Sequence, residues 1–128
     1  MKTTPLLSIT GRVLEMTRSY IPHIDIAKIV SRDGSVTITM DVHKDIKVFS
    51  EGDTVELALF IKEPEYDYGK DFCAKAVIVA LGDVDERNTK ITLSMGGLLL
   101  VIQGDKKIVK KDVFKPLMEL YVRVKKIK

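Results

Sequence analysis

Few residues in this chain could carry chemistry. There are two histidines, His23 and His43, and one cysteine, Cys73. A metal centre or a general-base pair needs partners at short, convergent spacing. Neither histidine has one nearby, so both read as surface residues at strand ends. Cys73 lies in the apolar run Phe72–Leu81, where a cysteine behaves as a small hydrophobe. A single cysteine excludes an internal disulfide and a cysteine-based zinc site, and it fits a reducing, cytoplasmic setting. Glu63, Glu65 and Asp67 lack the Asp-x-Asp-x-Asp-Gly order of a calcium loop and read as a solvated acidic loop. Gly96-Gly97 lacks the Lys-Ser/Thr of a phosphate-binding loop. No catalytic, metal-ligating or cofactor-binding residue is expected.

Charge offers a second kind of chemistry. The net charge of +3 is small, but it is unevenly spread. Residues 1–104 hold 12 Lys/Arg against 15 Asp/Glu, and residues 105–128 hold 9 against 3. One end is therefore basic, which suits either a solvated face or a partner-facing patch. Single-strand binding needs aromatic platforms in a positive groove. The chain has four Tyr, four Phe and no Trp. Tyr121, Arg123 and Lys125 would form a small outward platform, with Phe60 also facing outward, while the acidic segment 41–71 opposes a phosphate backbone. Such binding is expected to be weak and governed by salt.

The elements that position these residues are strands. The 128 residues suit one domain, and 45% hydrophobic residues can fill its core. Met1–Pro5 reads as a loose lead-in. No secretory leader and no apolar run long enough for a bilayer is recognised. Leu7, Ile9, Gly11 and Val13 share one face of a first strand, and the broken alternation at Leu14 and Met16 predicts a bulge. Tyr20–His23 connects to a strand over Ile24–Val30. Asp33-Gly34 predicts a hairpin. Val36, Ile38, Met40 and Val42 then point inward, as do Val55, Leu57, Leu59 and Ile61 after the Gly52-Asp53 turn. His43–Ser50 reads as a helical turn or a loop. Phe72–Leu81 predicts a central or strongly coiled strand.

Ile91, Leu93 and Met95 alternate with polar residues up to Gly96-Gly97. The two glycines predict either a hairpin or one sharply bent strand, at positive φ or at a close backbone approach. Leu98–Ile102 reads as a strand buried on both faces. Gly104-Asp105 predicts a turn into the basic connection Lys106–Lys115, anchored by Ile108, Val109, Val113 and Phe114. Leu120, Val122 and Val124 face inward in a last strand. Seven or eight short strands, little helix and no internal repeat predict an all-β fold. The expected form is an antiparallel Greek-key barrel of the OB type.

Three segments then carry a family resemblance. The first is Ile38-Thr39-Met40-Asp41-Val42 with Gly52-Asp53-Thr54-Val55-Glu56-Leu57. The second is Leu93-Ser94-Met95-Gly96-Gly97-Leu98-Leu99-Leu100 with Gln103-Gly104. The third is Leu120-Tyr121-Val122-Arg123-Val124-Lys125. Together they resemble the small subunit of archaeal DNA-directed RNA polymerase designated G, counterpart of the eighth common subunit of the eukaryotic nuclear enzymes. Met95 replaces the family's aromatic before the double glycine. Only Asp33-Gly34 stands where eukaryotic members carry an insertion. The resemblance implies an OB-based barrel with no catalysis of its own, docked on the largest catalytic subunit. Gly96, Gly97, Leu99, Val101, Tyr121, Arg123 and Lys125 are the expected partner-binding residues, and no membrane contact is expected. The alternative is a free-standing OB-fold binder of single-stranded nucleic acid. A small-ligand barrel is a third reading, for which no pocket residues stand out.

Overall fold

The computed structural model describes residues 4–127. The expected lead-in therefore lies outside the described residues at positions 1–3, and Thr4 and Pro5 are exposed without regular structure. Eight antiparallel strands close into a barrel in the order β1-β2-β3-β7-β6-β5-β8-β4. They are β1 (Leu7–Arg18), β2 (Ile24–Ser31), β3 (Val36–His43), β4 (Thr54–Phe60), β5 (Phe72–Asp83), β6 (Asn88–Met95), β7 (Leu98–Asp105) and β8 (Glu119–Lys126). The helices named for the described residues are two 3-10 turns, Lys44–Ile46 and Lys111–Val113. Closure leaves no strand edge unpaired, which removes the usual template for aggregation.

Period-2 alternation builds the interior. Val36, Ile38, Met40, Val55, Leu57, Leu59, Leu93, Leu120 and Val122 are all buried in one core cluster, as their spacing predicts. Each fully buried Leu, Ile or Val side chain contributes about 1.5–3 kcal/mol relative to exposure. The bulge expected near Val13–Leu14 is present, as a register shift between Val13 and Glu15.

The barrel is a duplication whose strands leave no mark in the sequence, although Val48-Phe49 before β4 recurs as Val113-Phe114 before β8. Strands β4-β1-β2-β3 form one Greek key and β8-β5-β6-β7 the other. Leu7 pairs with Leu59 and Arg12 with Thr54; Phe72 pairs with Val124 and Val77 with Glu119 at the same spacing. The bulge at Leu14 recurs at Val79. Val13 donates to the Asp53 carbonyl at 2.9 Å and accepts from Gly52 N–H at 2.8 Å. Ile78 donates to the Met118 carbonyl at 3.0 Å and accepts from Leu117 N–H at 2.8 Å. Not one residue of β1 is identical to its equivalent in β5. The expectation of no repeat is thus true of the sequence and not of the fold, because burial alternation can be repeated with different side chains. β3 and β7 pair antiparallel and exchange places under the duplication. The pseudo-two-fold axis therefore lies across the strands and swaps the two barrel ends.

Several local expectations are corrected. Ile61 is exposed, because β4 ends at Phe60 and the chain turns away from the interior. Gly104-Asp105 is not a turn but the end of β7. A Cβ on Gly104 would sit 2.7 Å from the Ser35 carbonyl oxygen, so the glycine serves a close backbone approach. Leu98–Ile102 is not buried on both faces: Leu100 and Ile102 are fully buried while Leu99 is exposed. Of the four anchors expected in the basic connection, Val109 and Phe114 are buried, whereas Ile108 and Val113 face solvent.

Candidate functional site

The residues expected to bind a partner divide between two seams on opposite sides of the barrel. Gly96, Gly97, Leu99 and Val101 lie at the β3–β7 seam; Tyr121, Arg123 and Lys125 lie at the β4–β8 seam. One flat surface cannot contact both.

At the first seam, Gly96 and Gly97 form the two-residue turn of a hairpin between β6 and β7, with φ of 66° and 101°. Both angles belong to a type I′ turn, which glycine adopts without a Cβ penalty. Nothing lies within 4 Å of a Cβ built on either residue, so backbone angle rather than space demands glycine there. Ser94 Oγ accepts from Gly97 N–H at 3.1 Å, and Asp41 Oδ2 accepts from Leu99 N–H at 2.9 Å. The hairpin tip is thereby tied to β3. On the outer face beyond it, Val101 sits between Thr39 and Thr92, and Leu99 lies opposite Ser94. Leu99 is 45% exposed. This part of the face joins aliphatic groups to short hydroxyl side chains.

The second seam is covered. Phe60 points out of the barrel, as its place in the alternation predicts, but it is only 1% exposed. The segment after β4 folds back across it, with Pro64 buried. Arg123 clasps that segment. Its Nη1 donates to the Glu65 carbonyl at 2.9 Å, its Nη2 pairs with Glu56 Oε1 at 3.3 Å, and its guanidinium carbon stands 4.8 Å above the Phe60 ring. The expected outward platform is therefore incomplete: Phe60 is removed from solvent and Arg123 is occupied within the chain. Sequence pattern could not show this, because period 2 assigns a face and not what covers it. Tyr121 lies half-buried between Phe60 and Lys75, and Lys125 lies opposite Glu56.

The residues with intrinsic reactivity are not organised for it. Burial pushes the Cys73 thiol up, Glu63 adds to this and Arg123 opposes it. A thiol held protonated is a poor nucleophile. It borders a shallow groove of about 350 Å³ shared with Tyr66, Tyr68, Phe72, Asp45 and Asp71. His23 and His43 stack with ring centroids 6.3 Å apart, a contact that sequence reading missed. The Asp33-Gly34 hairpin could have revealed it, since its register sets Ile24 opposite His43. His43 Nδ1 accepts from Asp45 N–H at 3.2 Å. Among the described residues no three His, Cys, Asp or Glu side chains are grouped to hold a metal, and no helix is long and apolar enough to cross a membrane.

The family of the G-type (RpbG) subunits of DNA-directed RNA polymerase matches residues 6–127. DNA-directed RNA polymerase subunit Rpo8 of Sulfolobus acidocaldarius is 27% identical over 94 residues, which cover 73% of this chain and 77% of that protein. Among solved structures, the cytoplasmic molybdate-binding protein ModG aligns over 98% of this chain and 94% of its own. Its sequence identity is 15% and its TM-score 0.38, too slight a likeness to bear on this chain.

Proposed function

The chain belongs to the RpbG family of DNA-directed RNA polymerase subunits and is a subunit of that enzyme; on that premise we propose that it is a non-catalytic part, docked on the largest catalytic subunit. The docking face is the outer side of the β3–β7 seam, with Leu99 and Val101 as its apolar centre and the Gly96-Gly97 hairpin at its margin. The observation that carries this is the two-faced character of β7. Its inner residues Leu100 and Ile102 are fully buried, yet two of its outer residues, Leu99 and Val101, are also aliphatic, and Leu99 is left exposed. A subunit without a reactive centre needs a rigid scaffold and an adhesive patch, and β7 supplies one strand to both. On β8, Arg123 holds the segment 61–71 in place, and Tyr121 and Lys125 lie outside the docking face. The setting is the cytoplasm.

The test is reconstitution of the purified chain with the largest subunit. Leu99→Asp should leave circular dichroism unchanged and weaken assembly by several kcal/mol, because a charge buried without a partner at an interface is costly. Normal assembly by a folded Leu99→Asp protein would place the docking face elsewhere. Single-stranded nucleic acid should bind the isolated chain weakly, through Lys and Arg of residues 106–128, with affinity falling steeply as salt rises. A tight complex at high salt that depends on Tyr121 would favour the free-standing binder instead.

A further inference from the structure

Before β4 the chain passes through Gly52 at φ 92°, and at the equivalent point before β8 it passes through Leu117 at φ 68°. Both residues donate their N–H to the residue preceding a bulge, Val13 in one half and Ile78 in the other. The same backbone hook is thus made twice, once with the residue that suits it and once with a branched aliphatic that does not. Burial does not offset the strain at Leu117, whose surface is 77% exposed. The hook requires the positive φ but not a leucine there, so keeping that side chain at a strained position points to a use outside the fold.

The surroundings indicate what that use is. Val79, the bulged residue beside Ile78, is exposed, and so is Val113, four residues before Leu117. The connection also carries five lysines. Lys111 and Lys106 reach Asp83 at 3.0 and 3.3 Å, which fastens the segment to the end of β5. Lys107, Lys110 and Lys115 are exposed and, among the described residues, form no ion pair. The acidic side chain within the segment is Asp112.

We propose that this connection is a second docking surface, on which Leu117 inserts into an apolar pocket of a protein partner rimmed by carboxylates. Charge complementarity selects an acidic surface and steers the encounter. The aliphatic side chains select protein over nucleic acid, since bases stack on aromatic rings and none is exposed in this patch. An apolar anchor ringed by charges is the usual arrangement of an interface centre and its rim. The contact lies at a barrel end and is separate from the Leu99–Val101 face. It rests on the reading above in taking polymerase as the partner.

The test uses the full chain and polymerase assembled without it. Leu117→Gly should melt at the same temperature as the unaltered chain or higher, and bind polymerase at least about tenfold more weakly. The double variant Lys110→Glu/Lys115→Glu should also bind more weakly, and its affinity should depend less on salt. Wild-type affinity of Leu117→Gly would overturn the inference. A lowered melting temperature of that variant would do so too, because the leucine would then serve the fold. So would a lysine variant that keeps polymerase affinity and loses only retention on a single-stranded DNA oligonucleotide. If the unaltered chain fails to bind polymerase at all, the reading of function fails and takes this contact with it. If it binds and only Leu99→Asp is impaired, this contact alone is wrong.

Discussion

The two segments that close the barrel ends, residues 44–53 and 106–118, show one geometry used for two purposes. Each contains a single 3-10 turn, then a buried phenylalanine, then a residue at positive φ hooked onto a bulge. Phe49 and Phe114 are equivalent, and each is 3% exposed within the barrel core. Chemically the segments diverge. In the first, two of the three acids are spent on the chain itself: Glu51 Oε2 accepts from Met16 N–H at 3.3 Å, and Asp53 Oδ2 accepts from Ser50 N–H at 2.8 Å. Asp53 also pairs with Lys126 at 3.7 Å. In the second, lysines and aliphatics are turned outward. The comparison separates the parts that a barrel end requires, a plug and a hook, from the parts it leaves free.

The largest effect should come from the plugs. Phe49→Ala and Phe114→Ala should each cost about 3–5 kcal/mol, the range for truncating a buried aromatic. Chemical denaturation of both variants checks this. A cost at one end much below the other would break the equivalence of the two closures.

A smaller effect should appear where the halves differ in a single Cβ. Gly11 and Ala76 occupy equivalent places in β1 and β5. A Cβ on Gly11 would lie 2.5 Å from the Val30 carbonyl oxygen. Gly11→Ala should therefore destabilise by about 1–3 kcal/mol through overpacking, while Ala76→Gly should cost about 1 kcal/mol or less from backbone freedom. Equal costs in thermal melts would mean that β1 and β2 can move apart to admit the added Cβ.

The hooks should respond with opposite signs. Gly52→Ala places a Cβ at φ 92° and should lose about 1 kcal/mol. Leu117→Gly removes one at φ 68° and should gain up to about 1 kcal/mol. Loss in both variants would show that Leu117 packs usefully within the fold.

The smallest effect distinguishes the two equivalent hairpins by pH. The Asp33 carboxylate accepts from the hydroxyl and the backbone N–H of Ser35 and from the Ser31 hydroxyl, which lowers its pKa from 3.8 to about 2. A pKa depressed by folding means a contribution present above about pH 4 and lost as pH falls through about 2. At the Gly96-Gly97 turn the Gly97 N–H is held by Ser94 Oγ, which does not titrate in this range, while the Asp41 carboxylate accepts farther along, from Leu99 N–H. Amide shifts recorded from pH 5 to pH 1.5 should move at Ser35 and stay level at Gly97. Movement at both would indicate general acid unfolding instead of a local change.

Much of this molecule is determined by its sequence alone. Alternation at Val36–Val42, Val55–Leu59 and Leu120–Val124 settles which side chains enter the core, since a strand can bury only every second residue on one face. The break at Leu14 marks a bulge, and Gly96-Gly97 and Asp33-Gly34 mark hairpin turns, because few residues tolerate those backbone angles. The segments around Gly96-Gly97 and Tyr121–Lys125 also suffice to suggest the family. Tertiary structure decided everything that depends on contact between distant segments. Phe60 faces outward by pattern and is buried only because residues 61–71 cross it and Arg123 clasps them. Leu98–Ile102 reads as uniformly apolar, and only closure of the barrel separates its inner residues from Leu99. The duplication is invisible in the strands because strand pairing is made by backbone groups, which every non-proline residue supplies alike. For the same reason Leu117 looks ordinary in sequence, and its strain appears only once the hook at Ile78 sets its φ.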